Sequence, residues 1–542
     1  MRKNDLLTLT AGAIGADMEG VARADGMAVF VPGLLIGESA PVRIVKVQPR
    51  FAFGRMAGAI ECPSPDRKEA DCAAWPRCGG CTCRHMRYEA TLEAKRRQIA
   101  DCFQRIAHLT VDVPPVIGMD NPSGYRNKTS LPIGGTADAP VAGFYAPRSH
   151  TIIPAQGCPN AMPPAASVAE TFLRWMREHH IAPYQEEAHT GLVRHLMVRV
   201  NRRGEAMAVV VVNGSALPHA DDLAQRLQPL GVVSLILNEN RNRTNVILGE
   251  RFHTLWGVDT LEDTLCGLHY QVSPASFFQV NPVQTEKLYR TALDFACLAP
   301  EDILCDVYCG AGTITLMMAP HVKHAIGIEV VPQAIDNARD NARRNGIANA
   351  AFHLGAAENV LPQLVREGLH PDVVVVDPPR KGLDPAVIDA MAQSAPRRIV
   401  YVSCNVATQA RDAALLAAKG YHLDKVQGVD MFCWTSGVEN VMVLSKLKET
   451  KHIDIHVDMS ELDVTKAEAE NSATYEKIKA YVQEHFGFKV STLNIAQVKR
   501  KYGIIERECY NKAKTEDAKQ PGCPEEKAKA IVEALRFFGM IK

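Results

Sequence analysis

Apolar and polar positions alternate along the first sixty residues in short runs broken by glycine. Val29-Phe30-Val31 lies between the turns Asp25-Gly26 and Pro32-Gly33, and residues 42–47 read V-R-I-V-K-V, the period-two pattern of a half-buried strand. With Gly12, Gly15 and Gly20 punctuating the neighbouring runs, the pattern predicts a small β-barrel. Arg43, Lys46, Arg50 and Arg55 could line a basic face of it or be ordinary surface charge. Residues 61–84 are loop-like. Residues 87–106 predict a helix, with Leu92, Ile99, Phe103 and Ile106 at helical spacing and Lys95-Arg96-Arg97 assigned to the other side.

From about 125 to 275 the pattern is mostly β, with strands predicted at 193–200, 206–212 and 232–237. Beyond 283 the texture changes. Strand-like runs at 303–307, 325–328, 373–376 and 399–402 alternate with helical segments, which predicts a parallel sheet with helices on both faces. Residues 449–476 carry two basic and eight acidic side chains, a charge of −6, and read as a linker. Residues 477–542 carry fourteen basic and eight acidic ones, a charge of +6. There, amphipathic segments at 477–486 and 525–538 flank the break Gln520-Pro521-Gly522, which predicts a small helical domain.

Composition narrows the picture. A chain of 542 residues exceeds one domain, at about 150 residues each. The 61 basic and 61 acidic side chains exclude a uniformly basic nucleic-acid coat but allow a local basic face. No apolar run approaches the ~20 residues of a membrane helix. Arg2 and Lys3 before Leu6-Leu7 only loosely resemble a secretory signal, because Asp5, Thr8 and Thr10 interrupt it. The fifteen cysteines are too sparse for a disulfide scaffold, and their grouping suggests metal or catalysis in a reducing, cytoplasmic setting.

Four strand ends carry candidate chemistry. Asp306-Val307-Tyr308-Cys309-Gly310-Ala311-Gly312-Thr313 is a glycine-bearing strand-to-helix turn of the kind that lets a backbone approach a ligand. Glu329 ends the next strand, where a carboxylate can bind ribose hydroxyls. Asp377-Pro378-Pro379-Arg380 follows a run of four valines. These three ends favour S-adenosylmethionine over a dinucleotide. Cys404, in Val402-Ser403-Cys404-Asn405, reaches the same edge, and Glu439 opens a late strand. Read alone, Cys404 could be an inert thiol and Glu439 a surface carboxylate. Cys72, Cys78 and Cys81, with Cys158 further on, have ligand spacing that suits zinc or an iron–sulfur cluster equally.

The motifs D-V-Y-C-G-A-G-T, D-P-P-R-K-G and Y-V-S-C-N, G-V-E near the end, and Phe277-Phe278-Gln279-Val280-Asn281 together resemble the RNA uracil-5-methyltransferase family over residues 5–447. The resemblance implies a Rossmann-like α/β methyltransferase domain at 276–447. Before it would come a TRAM barrel of OB type at 1–60 and a mostly β central domain at 61–275. Residues 448–542 would be an acidic linker and basic helical extension outside the family core. It assigns Cys404 as nucleophile and Glu439 as proton acceptor, and Gln279, Tyr308, Glu329 and Asp377 to S-adenosylmethionine. C-x5-C-G-G-C with a distant cysteine is similar to the 4Fe–4S site of the family's 23S rRNA branch, which the tRNA branch lacks. Cys72, Cys78, Cys81 and Cys158 would be the ligands, and Cys83 a bystander, with an alternative ligand as the other reading.

Two positions depart from the family pattern. Val406 stands where proline usually follows S-C-N, and Phe432-Cys433-Trp434-Thr435 replaces Phe-Pro-His-Thr. Tyr125-Arg126-Asn127-Lys128 and Arg194-His195 are further candidates for RNA contact, with structural roles as the alternative. The expected activity is S-adenosylmethionine-dependent methylation of uracil carbon 5 in 23S rRNA by a monomer without membrane association. The alternatives are the same reaction on tRNA, or a non-catalytic RNA-binding or ribosome-assembly factor. The C-terminal extension could bind nucleic acid, bind a protein partner, or only solubilise.

Overall fold

The computed structural model describes residues 1–155, 157–447, 475–486 and 524–537, with 488, 490, 491, 494, 495, 498 and 499. It divides into two compact units, Met1–Lys448 and Glu449–Lys542.

The first unit opens with six short strands, the longest Ser39–Val47, in one sheet. Their alternation buries Val29, Val31, Val42, Ile44 and Ala52 completely. The opposite parity faces water. Arg43 pairs directly across from Arg55, and Lys46 from Phe53. Phe51 and Phe53 meet edge to face at 5.5 Å, and Phe30 lies 5.7 and 5.8 Å from them. The Arg148 guanidinium sits 5.6 Å over the Phe53 ring.

A second sheet of seven strands includes Val193–Val200, Ala206–Val212 and Val232–Glu239. The stretch 125–275 is mostly β, as expected, with two helices, Ala165–Glu178 and Ala220–Leu227, covering this sheet. Val168, Ala169, Phe172, Trp175 and Met176 recur at helical spacing and are fully buried.

The third sheet also has seven strands. In space they run Ala350–Leu354, His324–Glu329, Ile303–Val307, Val373–Val376, Arg398–Ser403, Glu439–Lys446 and Tyr421–Val429. The first five are parallel, and the last two form an antiparallel hairpin. Chain order reverses between Ile303–Val307 and Val373–Val376, so the ligand crevice of such a sheet lies outside their carboxyl ends. Two apolar layers, one on each face, bury the sheet.

The helix Tyr88–Cys102 packs against the hairpin. Its buried positions are Thr91, Lys95 and Ile99. Lys95 is therefore not on the polar side with Arg96 and Arg97. It is fully buried, and its ammonium meets Asp430 at 2.5 Å.

In the second unit, the helices Tyr475–Phe486 and Glu525–Phe537 share a core of Ile478, Val482, Ile495, Val498, Ile531 and Leu535. Lys499, one of the fourteen basic residues of 477–542, is buried. Arg500, Lys501, the break at 520–522 and residues 449–474 of the acidic stretch lie outside the described residues. Among the described residues no helix is long and apolar enough to cross a membrane.

Candidate active site

The antiparallel register builds the centre of the site. Ser403 pairs with Asn440, so one step outward brings Cys404 opposite Glu439. Cys404 is half-buried and Glu439 is buried. Burial and then the Glu439 charge push the Cys404 thiol up, and the nearby Arg380 guanidinium opposes them. Burial, then Asp377, pushes the Glu439 carboxyl up to about 8. Asp377 itself is raised by burial and by Asp306. The structure thus brings Cys404, Glu439, Asp377 and Arg380 together. Arg380 is exposed and comes from the D-P-P-R turn. The motif contains it, but the sequence pattern alone gives it no role.

That turn is tied to the nucleophile's strand end. The Asn405 amide donates to the Arg380 carbonyl at 2.9 Å, and Asn405 also caps the helix Val406–Ala417 by accepting from the Ala407 and Thr408 amides. Val406 occupies the first helical position, where proline is favoured but not required. Its side chain is buried, and the cap forms without proline.

The glycine turn lies at the crevice. Gly310 has φ +56° with open space where a Cβ would be, and Gly312 has φ +80°. Glu329 accepts from the Gly310, Val330 and Val331 amides. Asp306 is fully buried. It takes a 2.5 Å bond from the Thr315 hydroxyl, but its Oδ1 has no partner, and burial holds its carboxyl at about 7. Tyr308 is half-buried against the apolar layer that holds Val376, Tyr401 and Val406, and burial, then the Glu358, Asp384 and Asp412 charges, push its hydroxyl up. Gln279 is fixed through its carbonyl, which accepts from the Asn127 amide at 3.0 Å.

Loop 430–438 joins the two hairpin strands and delivers Glu439. The Asp430 carboxylate takes Lys95 and the Tyr88 hydroxyl, the latter at 2.6 Å. The carbonyls of residues 430 to 435 are all engaged. Gln284 reaches that of Asp430, Asn281 that of Met431, Lys95 that of Phe432 and the Tyr125 hydroxyl that of Cys433. The Trp434 carbonyl accepts from the Thr82 and Cys83 amides, and the Cys83 thiol approaches that of Thr435.

Tyr125 and Asn127 are buried and engaged in these bonds, so they act as structural links rather than RNA contacts. Arg194 and His195 are likewise buried. Arg194 holds the carbonyls of Asn240, Asn242 and Thr244, and burial pushes the His195 imidazole down to about 4.

Residues 241–447 match the tRNA (uracil-5-)-methyltransferase family model, and residues 8–57 match the TRAM domain. An RNA methyltransferase of Halalkalibacterium halodurans is 43% identical, covering 82% of this chain and 98% of its own. The chain belongs to the RNA uracil-5-methyltransferase family. A second RNA methyltransferase, from Listeria monocytogenes serotype 4b, is 41% identical, covering 82% of this chain and 98% of its own. Among solved structures, Pyrococcus abyssi tRNA (uracil-54, C5)-methyltransferase in complex with S-adenosyl-L-homocysteine is similar, with a TM-score of 0.66 and 28% identity. That likeness covers 81% of this chain and 99% of the other.

In this methyltransferase the cysteine-rich loop lies beside loop 430–438. Cys72, Cys78, Cys81 and Cys158 are half-buried free thiols. Cys78 is within electrostatic reach of Cys158 and Cys72, and Cys81 of Cys158 and Cys78. Burial pushes Cys81 up to about 12. The Gly80 amide donates to Cys78 Sγ at 3.3 Å and Asn160 to Cys81 Sγ at 3.4 Å. Among the described residues, no three His, Cys, Asp or Glu side chains are gathered closely enough to form a metal site. Cys83 is fully buried against Met18, Leu35 and Met86, apart from the other thiols.

Proposed function

We propose that this methyltransferase converts uridine to 5-methyluridine in 23S rRNA through a covalent adduct on Cys404. The proximity of Cys404 to Glu439, just beyond the last ladder pair Ser403–Asn440 and beside Arg380 and Asp377, carries the reading. Residues 1–60 bind RNA, 61–275 carry the cysteine cluster, 276–447 perform the chemistry and 448–542 form an appended extension. The enzyme acts as a monomer.

Uracil carbon 5 is a weak nucleophile. The Cys404 thiolate adds to carbon 6, and the ring π electrons move to oxygen 4 as an enolate that is nucleophilic at carbon 5. Arg380 favours the thiolate against burial and the Glu439 charge. After methylation, ionised Glu439 takes the proton from carbon 5. Its bonding electrons restore the double bond to carbon 6, and the carbon–sulfur bond breaks to return the thiolate.

S-Adenosylmethionine, when bound, supplies the electrophilic methyl group. The orphaned Asp306 Oδ1 and the raised carboxyls of Asp306 and Asp377 suit a cationic ligand, which would relieve their mutual crowding. Glu329, Tyr308 and Gln279 complete the holding set, with Gly310 leaving room for close approach.

Cys72, Cys78, Cys81 and Cys158 are not gathered at single-ion ligand distance, but their thiol chemistry, their mutual electrostatic reach and the N–H donors on two sulfurs support a 4Fe–4S cluster as their ligand. Four protein ligands leave no open coordination position, so the role is architectural. This cysteine set favours rRNA as substrate. The tRNA reading is favoured instead by the Pyrococcus relative, whose named substrate is tRNA. Mass mapping of rRNA and tRNA from cells lacking the protein decides between them. Loss of 5-methyluridine from 23S rRNA is expected, and loss only from tRNA would overturn the rRNA assignment.

A further inference from the structure

We propose that Trp434 is a positioning residue for Glu439, clasping loop 430–438 to the cysteine-rich loop. The inference rests on the covalent reading above. It starts from an oddity of backbone: Trp434 has φ +66°, in the left-handed region where a bulky residue is strained. The surroundings hold it there. Its carbonyl accepts from the Thr82 and Cys83 amides at 2.9 and 3.2 Å. Its indole N–H donates to the Pro122 carbonyl at 2.9 Å. The ring is buried, 5.3 Å from the Tyr88 ring, with Lys68 Nζ 4.2 Å and Arg84 5.2 Å over it. Lys68 and Arg84 flank Cys72, Cys78 and Cys81 in sequence, and Tyr88 belongs to the helix that carries Lys95.

Displacement at Trp434 is felt at Glu439 because the intervening loop is braced internally. The Thr435 hydroxyl donates to the Phe432 carbonyl at 2.8 Å and accepts from the Gly437 amide at 3.2 Å. Among the described residues no hydrogen bond fixes the Glu439 carboxylate, so its aim follows from how the start of its strand is held. Cys404 is fixed differently, by its own strand and the Asn405 cap with its tie to Arg380. Loss of the clasp therefore falls on proton removal at carbon 5 and spares thiol addition at carbon 6.

The test uses the full-length protein, S-adenosylmethionine and an RNA hairpin carrying the target uracil tritiated at carbon 5. Adduct formation is read on denaturing gels and proton removal as tritium release. In Trp434→Ala, adduct formation should stay near the wild-type rate. Tritium release should slow about 10- to 100-fold, the scale of a small misplacement, so the methylated adduct accumulates. Trp434→Phe keeps a ring in the pocket and should restore most of the release rate. It also carries the test if the alanine variant does not fold, through a slowing of release alone. Iron content should stay at the wild-type level, because the two amides bind a backbone carbonyl that the substitution retains. Equal slowing of both steps, or no change in release, would overturn the inference alone. Absence of any adduct in wild type and in Glu439→Gln would overturn the covalent reading, and this inference with it.

Discussion

Lys95 and Asp430 stand 335 positions apart in the chain and form a fully buried ion pair, with Nζ 2.5 Å from Oδ1. The pair joins the helix Tyr88–Cys102 to the loop that delivers Glu439. Lys95→Met should destabilise the protein by about 3–5 kcal/mol, because Asp430 would be left buried without its cation. The double variant Lys95→Met/Asp430→Asn should recover part of that loss. Urea unfolding midpoints check both. A single variant as stable as wild type would mean that water reaches the carboxylate.

The raised Glu439 carboxyl makes stability depend on pH. Its folded value of about 8 lies above the ordinary carboxylate value, so between the two the folded state binds more protons than the unfolded one. Its favourable contribution is complete below the ordinary value and is lost as pH rises through the folded one. Glu439→Gln should therefore gain thermal stability over wild type progressively from about pH 5 to about pH 8. Adduct release in wild type should rise over the same range, because the base must be ionised. A constant stability difference across that range would contradict the raised carboxyl.

Anaerobically purified protein should be brown and hold about four irons per chain. Replacing Cys72, Cys78, Cys81 or Cys158 with alanine should remove iron. Replacing Cys83 should not, since its thiol packs among apolar side chains away from the other four. Iron analysis with visible absorbance reads this, and stoichiometric zinc without iron would overturn the cluster.

Arg43 and Arg55 face each other across two strands, an arrangement that weakens a sheet unless an anion sits over it. Together with Phe51 and Phe53 on the same face, they suit an RNA backbone with unstacked bases. Arg43→Ala/Arg55→Ala should raise the melting temperature slightly while weakening RNA binding. The slope of log affinity against log salt should fall by about two, one for each phosphate left without its arginine. Unchanged salt dependence would place the RNA elsewhere.

Truncation after Lys448 should weaken RNA binding and flatten the salt slope, if the +6 extension supplies phosphate contacts. Methylation of a short hairpin should survive, since the residues assigned to chemistry all precede the cut. Unchanged binding would leave a protein partner or stabilisation as the extension's role.

Four strands of the parallel sheet were legible as mostly apolar runs, most clearly at 373–376, whereas the edge strand Ala350–Leu354, which carries His353, was not. Cys404 and Glu439 could be named from motifs, but their opposition needs the register of an antiparallel pair. Lys95 shows a different limit. It lies on the stripe of Leu92 and Ile99, and that spacing signals burial. Reading it with Arg96 and Arg97 as one cationic block hid the signal. Its partner depends on a contact between distant segments that no local pattern encodes. The helix Ala165–Glu178 was visible in its periodicity and was masked by the β texture around it.

The carbonyls of residues 430 to 435 draw their donors from residues 82 and 83, 95, 125, 281 and 284. Such contacts join segments far apart in the chain, from 146 positions for Gln284 to 352 for Thr82. The sheet is tied to the same segments, because Ile99, Phe103, Val113 and Val116 share its buried layer and Ile117 bridges its edge strand at Val429. The aim of the base is thus a property of the whole first unit, and a change in residues 82–125 can reach the chemistry without touching the catalytic sheet.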